Sequence, residues 1–103
     1  TGSLNIASKV IFSGVETIGS GALDLAKTAH IIDGATAFSL ANGTVGQIKT
    51  ICKEDPATGT SVLTPTNLAG GTTITFDAAG ESVTVQFVDT QWYVIGNHGA
   101  TVA

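Results

Sequence analysis

The sequence has no arginine, no methionine and a single cysteine, and only 12% of its residues are charged. With four lysines against eight acids, the net charge of −4 repels a phosphate backbone. No basic patch exists to overcome that repulsion, so nucleic acid is not an expected partner. Apolar runs are only a few residues long, far short of the roughly 20 needed to span a bilayer, and no charged region precedes an apolar stretch at the start. The expectation is a soluble chain without membrane partner or signal peptide. The opening Thr1-Gly2-Ser3 fits removal of an initiator methionine or the remnant of a tag. Cys52 has no second cysteine to pair with, so folding does not depend on oxidation and suits a reducing cytoplasm.

What remains is a 103-residue chain that is 43% hydrophobic and contains 13 glycines. That length accommodates one domain, which buries roughly two-thirds of the surface its unfolded chain exposes. Helical i, i+3, i+4, i+7 patterns are missing, whereas period-two alternation recurs throughout. Residues 4–12 place Leu4, Ile6, Val10 and Phe12 at even positions and predict a strand or an extended arm, packed across a subunit boundary or, as the alternative, an ordinary first strand of its own sandwich. Gly14, Gly19 and Gly21 cut that arm off, giving an arm over 1–20 and a module over 21–103. Short strands are expected at Val15 to Ile18 and Ala22 to Leu25, as hairpin pieces. Asp33-Gly34, between the strands at Thr28 to Ile32 and Ala35 to Leu40, carries a hairpin-turn signal, and Asn42-Gly43 repeats it.

From Gly46 to Lys53 the alternation sets Ile48, Thr50 and Cys52 against Gln47, Lys49, Ile51 and Lys53, with Cys52 expected inward. Val62 and Thr64, and then Ile74 with Phe76, mark further strands. Val83, Val85 and Phe87 are expected to face the core. The strand from Gln91 to Ile95 is apolar on both faces, with Trp92 and Val94 opposite Tyr93 and Ile95, so a second cover is expected on it. About ten short strands at this spacing predict an all-β fold, an antiparallel β-sandwich or a jelly-roll-like barrel with an N-terminal arm.

Chemical signatures are sparse. His30 and His98 have no ligand partner at metal spacing, so no zinc site is expected. Cys52 lacks a catalytic neighbourhood and reads as a small buried hydrophobe. Gly70-Gly71-Thr72-Thr73 lacks the lysine and helix of a phosphate-binding loop and reads as a turn. Asp77 with Glu81 is the one pair weighed for calcium, and the acids mostly occupy turns. No catalytic residue, metal or cofactor is expected.

Three stretches carry a resemblance: Leu23-Asp24-Leu25-Ala26-Lys27-Thr28-Ala29-His30-Ile31-Ile32 with Gly46-Gln47-Ile48-Lys49-Thr50-Ile51, Leu63 to Phe76, and Glu81 to Phe87 followed by Gln91 to Asn97. Together, over residues 21–98, they resemble a small β-rich module of structural proteins of tailed bacteriophages and of some large-virus surface proteins. The resemblance implies a place on the virion surface after assembly in the host cytoplasm, a homotrimer, and no catalysis. The first expectation is a capsid decoration (cement) protein that stabilises the head against the major capsid protein. A receptor-binding tip of a tail or head fibre is the runner-up. The third is a carbohydrate-binding module stacking Trp92 or Tyr93 on sugar rings. Leu4, Ile6, Val10, Phe12, Trp92 and Val94 are the expected interface residues, toward sister chains or the capsid.

Overall fold

The computed structural model describes residues 14–103. Ten strands follow in order: β1 (Val15–Ile18), β2 (Gly21–Ala22), β3 (Ala29–Ile32), β4 (Ala37–Leu40), β5 (Ile48–Lys53), β6 (Ser61–Pro65), β7 (Ile74–Phe76), β8 (Ser82–Val88), β9 (Gln91–His98) and β10 (Thr101–Val102). They form two five-stranded sheets, one ordered β1-β3-β5-β8-β9 and the other β10-β7-β6-β4-β2. The fold is all-β and sandwich-like, with a core of Leu23, Ile32, Phe38, Leu40, Ile51, Leu63, Leu68, Ile74, Phe76, Val83, Val85, Phe87 and Trp92 between the layers.

The expected antiparallel arrangement holds for only half of the pairing. β1 with β3, β3 with β5, β2 with β4 and β4 with β6 are all parallel. The first six strands alternate between the sheets, so the chain winds through three two-strand rungs, and the strands from β7 onward pair antiparallel, β7 with β6 and β10 and β8 with β5 and β9. This also corrects the jelly-roll alternative. Asp33-Gly34 is a corner from one layer to the other and not a hairpin, and β1 and β2 likewise lie in opposite sheets. The local turn chemistry is the same in both cases. Whether a chain bends back in its own sheet or over to the next is decided by what the following strand packs against.

The corners stack as the strands do. Asp33 N–H donates to Ile18 O at 3.1 Å and Thr36 Oγ1 to Gly19 O at 2.6 Å; one rung further, Val62 N–H donates to Thr36 O at 3.1 Å and Ser61 Oγ to Gly34 O at 2.6 Å. Gly34 is required by this contact, because a Cβ there would stand 2.0 Å from Gly19 O.

Trp92 ties the antiparallel half to the winding. Its Nε1–H donates to Ala41 O at 3.0 Å, its backbone exchanges bonds with Asn67 and Ala69, and its ring meets Phe87 edge-on at 5.2 Å. The part of the expected arm that is described, β1, pairs with β3 along its length. Leu4, Ile6, Val10 and Phe12 lie outside the described residues.

Replacing Gly34 by Ala should therefore force the first two corners apart and destabilise the chain by on the order of 3 kcal/mol. Urea unfolding checks this, with Gly46→Ala, where a Cβ meets nothing within 4 Å but φ is +94°, as a comparison limited to backbone strain.

Candidate functional site

Successive residues of a strand point to opposite faces, so register fixes which side chains meet inside the sandwich. One inward row runs Glu16–His30–Ile51–Val83 across β1, β3, β5 and β8. Lys49 and Lys53 lie on the same side of β5 as Ile51, and both are buried, as is His30. The expectation for Cys52 is thereby reversed. Cys52 sits half-buried on the outer face with Ile48 and Thr50, where burial pushes its thiol pKa up. Alternation defines two faces but not which is covered, and a lysine stem is long and apolar enough to line a core if its tip finds acceptors.

Lys49 finds them in the corner 23–28 of the preceding rung. Its Nζ donates among Asp24 O at 3.1 Å, Leu25 O at 3.2 Å and Lys27 O, with His30 Nε2 at 3.2 Å as a further neighbour. Gln47 Nε2 reaches Leu25 O beside it at 2.9 Å. His30 Nδ1 stands 2.5 Å from Glu16 Oε2, which also accepts from Asp24 N–H at 2.8 Å. Neutral His30, protonated on Nδ1, satisfies every contact: it donates to the carboxylate and accepts from the ammonium. Burial holds its pKa below the ordinary 6.5; the Glu16 hydrogen bond opposes this and the Lys49 charge adds to it. Burial likewise lowers the Lys49 pKa from 10.5, against the pull of Asp24 and Glu16. At the other end of β5, Lys53 Nζ donates to Ser61 Oγ at 2.7 Å.

This chain of charges is enclosed, with every described bond returning to the protein's own backbone or side chains. Its chemistry is that of a clasp that pins one corner to the next rung. None of Glu16, His30, Lys49, Lys53 or Ser61 stood out in the sequence as a group. Their meeting depends on strand pairings 14 and 21 residues apart, Glu16 with His30 and His30 with Ile51, and no local spacing encodes it.

The other sequence candidates separate. Trp92 is fully buried in its own chain's core and Val94 packs partly against that core. The open face of β9 is the opposite one, with Tyr93 42% and Ile95 54% exposed. Tyr93 is the only exposed aromatic among the described residues, and Trp92 has no face free for a sugar ring. Glu81 Oε1 accepts from Asp77 N–H at 2.7 Å and Ala78 N–H at 3.2 Å, so its carboxylate caps the turn. Among the described residues no three His, Cys, Asp or Glu gather at metal-binding distance. The Thr72 and Thr73 amides both donate to the Ala103 backbone oxygen and offer nothing to a phosphate.

What is left open is a face. The outer side of the first sheet sets Val15–Ala29–Thr50–Thr84–Gly96 in one row and Thr17–Ile31–Cys52–Ser82–His98 in the next, with Ile48–Gln86–Tyr93 alongside. No lysine, aspartate or glutamate stands on these paired positions, and Val15 and Ile48 are 56% and 47% exposed. No protein-family model and no curated protein matches this chain.

The clasp makes stability depend on pH. With the folded pKa of His30 below its ordinary 6.5, the unfolded chain binds the extra proton first as pH falls through that value, so stability declines from about pH 7 downward. The slope cannot exceed about 1.4 kcal/mol per pH unit for one proton. Urea unfolding between pH 7 and 5 should show this decline, and His30→Asn should flatten it.

Proposed function

We propose that the chain is a non-enzymatic structural module that works as a homotrimer on the surface of a virus particle. The observation that supports self-association best is the uncharged outer face of the first sheet. Solvated sheet faces normally carry charge, and an apolar face without it marks a contact surface. The copies meet through Tyr93, Ile95, Ile48 and Val15, in place of the Trp92 and Val94 face that the sequence suggested. The virion assignment rests on the resemblance of residues 21–98, and the trimer number comes from the same source.

Two roles fit such a module: head decoration against the major capsid protein, and a fibre that ends in a receptor-binding tip. The parallel winding favours the fibre. Rungs that stack along one direction extend by repetition, which is how a shaft grows. Among the described residues a carbohydrate-binding module has only Tyr93 to offer as a stacking platform.

Sedimentation equilibrium at about 20–50 µM, where a working assembly should hold, is expected to give a trimer. Tyr93→Lys with Ile95→Lys should dissociate it without changing the urea midpoint of the monomer; a wild-type monomer overturns the reading. On purified particles a handful of copies marks a fibre, and hundreds mark decoration.

A further inference from the structure

The corner 23–28 is held by polar bonds more than by packing. Leu23 is buried at its start, whereas Asp24, Leu25 and Ala26 are exposed. Two of its bonds stay within the corner, Ala26 N–H to Asp24 Oδ1 at 2.9 Å and Lys27 N–H to Asp24 O at 3.1 Å. Among the described residues, Asp24 to Lys27 are tied to other elements by the Lys49 ammonium on the carbonyls of Asp24, Leu25 and Lys27, by the Gln47 amide on Leu25 O, and by the Glu16 carboxylate on the Asp24 N–H. A segment with so few buried apolar contacts opens more easily than the strands around it. Lys49 itself stands on β5, which is paired on both sides, with β3 and with β8. If Lys49 and the corner part, the corner is the piece that moves.

His30 decides whether they part. Its Nδ1 meets Glu16 Oε2, and its Nε2 meets Lys49 Nζ at 3.2 Å. A neutral ring serves both neighbours, but a protonated ring donates from both nitrogens. Nε2–H then points at an ammonium that has only donors to offer, and two like charges stand 3.2 Å apart inside the sandwich. The charged groups that act on the ring, among the described residues, are Glu16 from β1, Asp24 from the corner and Lys49 from β5. Lys27 contributes only a carbonyl, its side chain running past Gly14, and Ile51 and Val83, which follow His30 in the row, carry no charge. The ring is buried and anchored to Glu16, whereas the lysine tip can turn away. Once it has turned, His30 keeps the carboxylate and loses the like charge, so the open form binds the proton more tightly than the closed one. Acid therefore favours opening. Burial, with Lys49 adding to it, holds the closed-form ring below its ordinary 6.5, which gives the same sign: closure is complete above that pH and is lost as pH falls below it.

We infer that His30 is an acid-operated catch: its protonation drives the Lys49 ammonium off the carbonyls of the corner 23–28, and that corner opens while both sheets stay paired. The device goes beyond a general loss of stability in acid, because it assigns the first response to one segment.

The test is amide hydrogen exchange of the full chain, followed by NMR together with the His30 ring between about pH 7.5 and 5, the window in which a histidine changes charge. Each rate is divided by the intrinsic rate at that pH. Protection of the Asp24 and Lys27 amides should fall by about tenfold or more, with the same midpoint as the ring. The Thr66 and Trp92 amides, which donate to Leu40 O and Asn67 O at 2.9 Å, should keep theirs. His30→Asn, which does not charge, should leave the corner protected at the acid end. Glu16→Gln provides a second variant: it removes a group that favours the charged ring, so the midpoint should move to lower pH. A ring that stays neutral throughout, a corner still protected once the ring has charged, corner and control amides losing protection together, opening that persists in folded His30→Asn, or a midpoint that Glu16→Gln leaves in place overturns the inference.

Discussion

Two parallel neighbours in a sheet cannot be joined by a tight turn, because the chain leaves the first at the opposite end from where it must begin the second. In α/β folds a helix makes the return trip. Here the strand of the facing sheet makes it, and most of the architecture follows. β1 to β6 must alternate between layers, each corner must lie on the one before, and the corner residues must be small where backbone meets backbone, as Gly34 does over Gly19. The antiparallel strands from β7 onward have no such restriction, and they close one end of both sheets.

Corners of a winding carry a cost that strands do not. Their carbonyls turn inward as the chain changes layer, and a carbonyl removed from water without a partner costs about 1–3 kcal/mol. Lys49 meets this demand for the corner 23–28 with one side chain that serves several acceptors, while His30 and Glu16 balance its charge. The same residues that look like a proton relay therefore explain a structural need, and their burial explains the sensitivity to acid. Ser61 bridges the buried Lys53 to the Gly34 carbonyl at the opposite corner, so both ends of β5 are tied to the previous rung.

The contrast between the two outer surfaces bears on assembly. The second sheet shows solvent small or hydroxylated residues such as Ala22, Ser39 and Thr64, whereas the first shows Val15, Ile48, Tyr93 and Ile95. Both lack charge, yet only the first offers large apolar groups. The proposed self-association draws on that first face alone.

Period-two alternation, the density of turn residues and the absence of helical spacing were enough for an all-β chain of about ten strands, and Val83, Val85 and Phe87 lie in the core as their alternation indicated. Those features depend on neighbours in sequence, and local sterics and solvation write them there. Three things were beyond them. Which face of β5 is covered was not legible, because Ile48, Thr50 and Cys52 are together more apolar than Lys49, Ile51 and Lys53, and only the carbonyls of a distant corner make the second set the buried one. Nor was the direction of pairing, since Asp33-Gly34 suits a hairpin and a corner equally. The clasp of Glu16, His30 and Lys49 arises from register between strands of different rungs, and contacts made by stacking exist only once the winding is complete.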